Sequence, residues 1–72
     1  MLEQDIEYRF DSEARAYRFL NTATHLDADG LRVRFGRTDH HVRIRYQPRS
    51  NGFDTTLAQL DDIARELGGE EV

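Results

Sequence analysis

The side chains best suited to chemistry in this sequence are arginines, and they are bunched. Arg32, Arg34, Arg37, Arg43, Arg45 and Arg49, six of the ten, fall between positions 32 and 49. Four of them alternate strictly with apolar residues, in Leu31-Arg32-Val33-Arg34-Phe35 and again in Val42-Arg43-Ile44-Arg45-Tyr46. A guanidinium is a permanent planar cation whose fork of donors matches carboxylate and phosphate, so such a cluster binds anions rather than moving protons. Alternation with period two sends each strand's apolar set to one sheet face and its arginines to the other. Side by side, the two strands gather Arg32, Arg34, Arg43 and Arg45 on one face, joined by Arg9 from an earlier strand. Like charges opposed across neighbouring strands destabilise a sheet, and in this reading Glu7 alone stands among them to offset the repulsion. The excess points to a partner that supplies negative charge; a merely solvated outer face is the plain alternative.

The second group of candidates is acidic. Asp54, Asp61, Asp62, Glu66, Glu70 and Glu71 make an anionic C-terminal third next to Arg65 alone. Asp61, Asp62 and Glu66 on a helix suit a basic groove or mimic the charge of nucleic acid; a solvated helix back is the simpler account. Charge is thus segregated: the net is −4 over residues 1–31, +5 over 32–49 and −5 over 50–72, for an overall −4. Such asymmetry speaks of partners rather than of fold.

Other chemistries find no footing. Cysteine is absent, which excludes disulfides and thiolate metal sites. His40 and His41 are adjacent, so in a strand they point to opposite faces and chelate one ion poorly. His25 with Asp27 and Asp29 is a weak pattern in a turn, and no metal or other cofactor is expected. Ser12 reads as part of a helix cap and Ser50 as part of a turn, so no nucleophile has a neighbouring base. Gly36 and Gly52 are isolated and form no phosphate-cradling loop. The expectation is a protein without catalytic residues. Lysine is also absent throughout. A GC-rich coding sequence accounts for that over the whole chain, but it does not explain local clustering of arginine.

The elements that must position these residues follow from pattern. Ile6, Tyr8 and Phe10 alternate with Glu7 and Arg9 as a half-buried strand. Asp11-Ser12 caps a helix over about residues 12–25, with Ala16, Phe19, Leu20 and Ala23 as its buried stripe and Tyr17 at the margin. Asp27-Ala28-Asp29-Gly30 turns the chain into the second strand, and Gly36-Arg37-Thr38-Asp39-His40 joins the arginine-bearing strands as a hairpin. After the turn formers from Gln47 to Gly52, Asp54 caps a second helix and Phe53 packs as a staple on Ala58. Leu57, Leu60, Ile63, Ala64 and Leu67 line that helix, and Gly68-Gly69 ends it.

With 72 residues this is one small α+β domain spanning 1–72, a two-layer sandwich of β-α-β-β-α order. It is a split β-α-β unit, ferredoxin-like but lacking the last strand. The crossover rule sets strands one and two parallel, with strand three between them and antiparallel to both, in the order 1-3-2. Both helices then cover the face bearing Ile6, Tyr8, Phe10, Leu31, Val33, Phe35, Val42, Ile44 and Tyr46. The opposite face carries Glu7, Arg9, Arg32, Arg34, His41, Arg43 and Arg45, and strand one is expected to have a bare outer edge. No apolar run reaches the roughly 18 residues of a membrane span, and the acidic start Met1-Leu2-Glu3-Gln4-Asp5 does not fit a signal peptide. A cytoplasmic protein without membrane contact is expected.

This pattern resembles the family of regulators of ribonuclease E activity, type B. The resemblance rests on Tyr8 and Phe10 before an alanine-bearing helix with Ala16, on Gly30 with Val33 leading into a hairpin, and on the final helix from Leu57 to Gly68-Gly69-Glu70. It implies a non-catalytic protein that binds and inhibits a nucleic-acid enzyme. The residues point the same way. An open sheet that binds single-stranded RNA needs exposed aromatics, and Tyr8, Phe10, Phe35 and Tyr46 all fall in the inward parity. The acidic flanks would repel a long duplex. A protein partner, as for an inhibitor or adaptor, is therefore favoured over a nucleic acid held on the arginine face. A second copy of the chain, setting its acidic helix against these arginines, is another protein partner of this kind.

Overall fold

Odd–even parity builds the sheet. In the computed structural model, which describes residues 3–49 and 54–72, Gln4–Arg9 (β1), Asp29–Phe35 (β2) and His41–Gln47 (β3) are the long strands. Glu13–Ala23 (α1) and Thr56–Glu66 (α2) are the helices, and Glu70–Glu71 (β4) is a short last strand. The sheet runs β2-β3-β1-β4 with every neighbouring pair antiparallel. The fold is thus α+β with two helices and a four-stranded open sheet among the described residues. This corrects the expected three strands: β4 pairs with the outer edge of β1, so that edge is not bare.

The short strand is aimed by the end of α2. Gly68 has φ +76°, the left-handed conformation that suits glycine. Its N–H reaches the Arg65 carbonyl at 3.1 Å while that of Gly69 reaches Ala64 at 2.7 Å, the paired bonds of a Schellman ending. At Gly69 an added Cβ would run into the Phe10 ring, so the chain leaves the helix flat against that ring and falls in beside β1.

The core lies between the sheet and both helices. Ile6, Tyr8, Phe10, Val42, Ile44 and Tyr46 meet Ala16, Phe19 and Ala23 of α1 and Leu60 and Ala64 of α2. Phe19 packs against Tyr8 and Phe10 with ring centroids 5.2 and 5.0 Å away. Ser12 caps α1, accepting the Arg15 N–H at 3.2 Å. The cap position of α2 is Thr55 rather than Asp54. Asp54 instead accepts the N–H of Thr56 at 2.9 Å and that of Arg49 at 3.0 Å, tying the two sides of the connection together. The turn expected through residues 50–52 and the Phe53 staple lie outside the described residues.

Coverage fades toward β2. Leu31 and Val33 are only partly buried, and Phe35, expected inside, is 39% exposed. Leu57 also lies at the margin of its helix rather than in the buried stripe. Parity assigns a side chain to a face, but whether that face is covered depends on how far the helices reach. β2 also begins two residues earlier than its alternation implies, with a register shift between Asp29 and Arg32. Gly30, at φ +63°, sits in that bulge. None of the helices in the described residues is long and apolar enough to cross a membrane.

Candidate functional site

The register lays the charged face out in rows. Arg32, Arg45 and Asp5 are successive neighbours across β2, β3 and β1, and Arg34, Arg43 and Glu7 form the next row. Arg9 lies between His41 of β3 and Glu70 of β4 in the third. Arg32, Arg34, Arg43, Arg45 and Arg9 therefore share one face as expected. The face is not otherwise as expected, because Glu7 is not its sole carboxylate.

Asp5, which sequence reasoning missed, is the hub. Arg43 grips it with two bonds, Nε to Oδ1 at 2.9 Å and Nη2 to Oδ2 at 2.6 Å, and Arg45 Nε adds a third at 3.2 Å. The hydrogen bonds from Arg43, with Arg45 adding to them, outweigh partial desolvation and hold the Asp5 carboxyl down at about 2. The signal was available: β1 begins at Gln4, and carrying the parity of Glu7 back two residues puts Asp5 on the same face. Glu7 turns away from its row neighbour toward the hairpin loop. Its Oε2 accepts the Arg37 backbone N–H at 3.3 Å and Nε at 3.1 Å. Burial, the largest influence on Glu7, pushes its carboxyl up, but the bonds and charge of Arg37, with His41 nearby, bring it below its ordinary value. Gly36 permits this approach, since a Cβ there would come 2.6 Å from the Glu7 carboxylate. At the far side Arg9 is closed by Glu70.

Neutralisation is therefore uneven. Asp5, Glu7 and Glu70 engage Arg43, Arg45, Arg37 and Arg9, whereas Arg32 and Arg34 have no carboxylate partner among the described residues. Both stand directly opposite another arginine, Arg45 and Arg43 respectively, and both are exposed. The surplus positive charge thus sits along β2, where Arg34, Phe35, Gly36 and Arg37 line an open depression with Glu7 and Arg43.

The acidic helix is not one site. The Tyr8 hydroxyl donates to Asp61 Oδ1 at 2.5 Å, so Asp61 serves as an internal acceptor and not as a free surface charge. Burial, and then this bond, push the Tyr8 hydroxyl well above the ordinary tyrosine value. Asp62 lies 3.3 Å from Arg65. Glu66 is exposed and borders a depression with Arg18, Thr22, Ile63 and Leu67. Asp61, Asp62 and Glu66 are separated in role, although one helix bears all three. The histidines diverge too: His40 Nδ1 lies 2.8 Å from Asp39, and His41 Nδ1 lies 2.6 Å from Thr38 Oγ1. Among the described residues no three histidine, aspartate or glutamate side chains are grouped to hold a metal ion.

No family model matches the chain, and no match was found among curated proteins.

Proposed function

We propose that this chain is a non-enzymatic interaction module whose arginine-bearing sheet face receives an anionic surface of a protein partner. The observation that carries this reading is the uneven neutralisation. The chain supplies carboxylates to Arg43, Arg45, Arg37 and Arg9 but none, among the described residues, to Arg32 and Arg34. Two cations held opposite two others gain most from an acidic partner that arrives from outside. Among the described residues the face offers no aromatic platform on which successive bases could stack: Tyr8, Phe10 and Tyr46 are buried on the other side, and Phe35, 39% exposed, is a single ring at its border. The resemblance to regulators of ribonuclease E activity extends the reading. Its partner would be a nucleic-acid-processing enzyme, and the module its cytoplasmic inhibitor or adaptor. The element order, with the last strand beside the first, suits a ferredoxin-like arrangement for such a module.

Nucleic acid on the same arginines is the competing reading, and salt separates the two. Phosphate binding falls steeply between about 50 and 200 mM salt, with a slope set by the phosphates neutralised. A titration with single-stranded RNA and duplex DNA should show no tight, steeply salt-sensitive binding. Such binding would overturn the proposal. In a pull-down from the native host, a partner held by wild-type protein should be lost with the double variant R32E/R34E.

A further inference from the structure

We infer that the outer edge of β2 is the docking strand of this surface, and that its occupant is an extended protein segment in which carboxylates alternate with apolar side chains. The inference rests on the protein-interaction reading above and names the chemistry of that partner. Three observations converge on the edge. β2 is an outer strand, hydrogen-bonded among the described residues to β3 alone. The Gly36 N–H donates to the His41 carbonyl at 2.8 Å. In an antiparallel ladder bonded pairs alternate, so Arg34 and Arg32 face β3 and the N–H and C=O groups of Val33 and Phe35 turn outward. A free ladder of this kind is what an added strand uses.

The flanks of that ladder differ in chemistry. On the open face stand the unneutralised Arg32 and Arg34. On the helix side Phe35 and Tyr17 are 39% and 55% exposed and line a depression with Glu13 and Ala14. An incoming strand would place one side-chain set near the guanidinium groups and the other against these rings, which calls for alternating acidic and apolar residues. A second copy of the chain does not fit this edge. Two β2 strands paired antiparallel about a two-fold axis keep the same face up, so a pairing centred between positions 32 and 34 sets arginine against arginine. The bulge at Gly30 and the charged edge thus work against pairing of two copies through β2, while the same charges select an acidic strand.

The test uses the full chain, isotope-labelled for NMR. The probe is a short synthetic peptide alternating glutamate with valine, and its control replaces glutamate with lysine. The expected result is salt-sensitive binding of the glutamate peptide, with slowed hydrogen exchange at the Val33 and Phe35 amides. R34E should weaken binding on the order of tenfold and shift preference to the lysine peptide. V33P removes an outward N–H while sparing the bonds to β3, and should also abolish the protection at Phe35. Native spectra of each variant confirm folding. Binding with perturbation confined to Arg43 and Arg45 and no protection at β2 would overturn the edge while leaving the face reading standing. No binding, or equal binding of both peptides, would also overturn it, leaving the arginines as guards against aggregation. Failure of the protein-partner reading would show separately, in the nucleic-acid titration.

Discussion

The two edges of this sheet are closed to very different degrees, and strand length does not decide which. At one edge β4 is two residues long, yet Val72 N–H reaches the Glu7 carbonyl at 3.0 Å, Glu70 neutralises Arg9, and Gly69 lies on the Phe10 ring. At the other, β2 is seven residues long, its apolar residues are half covered and both of its arginines lack carboxylates among the described residues. A helix ending that aims the chain closes an edge better than a long strand without a neighbour. The closed side is packed and neutralised from within, and under the proposed function the open side is the half that meets a partner.

The largest test of that division is in the packing. Ile44 is fully buried in the central β3, while its neighbour across the pair, Val33 on β2, is only partly covered. Ile44→Ala should cost about 2–5 kcal/mol of unfolding free energy, and Val33→Ala about 1 kcal/mol or less, since fewer neighbours lose contact. Urea denaturation measures both. Equal costs would mean that β2 belongs to the core and is not an open edge.

Asp61 and Gly69 probe the closed side. Asp61→Ala leaves the buried Tyr8 hydroxyl without its acceptor and should cost about 1–3 kcal/mol. A double change with Tyr8→Phe should recover part of that loss. If Asp61→Ala were neutral for stability, the aspartate would return to the list of free surface charges. Gly69→Ala drives a methyl into the Phe10 ring and should cost about 1–3 kcal/mol, with faster amide exchange at Val72 and unchanged exchange at Val33.

Much of this arrangement was legible in the sequence, for identifiable reasons. Strict alternation through residues 31–35 and 42–46, with glycine between, gave the hairpin and the face shared by the arginines, and the crossover rule gave the order of β1, β3 and β2. Asp5 was legible in principle by extending parity, but Gln4 and Asp5 precede the first apolar residue of β1 and carry no alternation of their own. β4 was not legible, because two glutamates have no strand pattern and their placement comes from the glycine ending before them. Nor was the Tyr8–Asp61 bond, which joins residues 53 positions apart. The exposure of Phe35 depends on the reach of α1, a tertiary quantity that periodicity does not contain.

Acid sharpens the electrostatic side of the comparison. The Asp5 carboxyl lies at about 2 in the folded chain against an ordinary 3.8. Its stabilising effect is therefore fully present above about pH 4 and lost as the pH falls through 2. Glu7 and Asp54 are lowered as well and contribute in the same direction. Asp5→Asn should flatten the decline in melting temperature over this acid range, an effect kept small by the partial exposure of the group. An unchanged acid profile would show that the Asp5 cluster does not hold in solution.

The finest test sets one arginine against its neighbour across the pair. Arg43 and Arg34 are the same residue type, face each other in register and point to the same face. They differ in that Arg43 grips Asp5 with two hydrogen bonds. Arg43→Gln should lower the urea midpoint slightly, because Asp5 loses its main partner and Arg45 alone remains to it. Arg34→Gln should leave the midpoint unchanged or raise it slightly, since it removes a repulsion and breaks no ion pair among the described residues. Raising the salt concentration should narrow the difference by screening both effects. Marked destabilisation by Arg34→Gln at low salt would mean that Arg34 is held by the fold itself, and that the charge along β2 is not surplus kept for a partner.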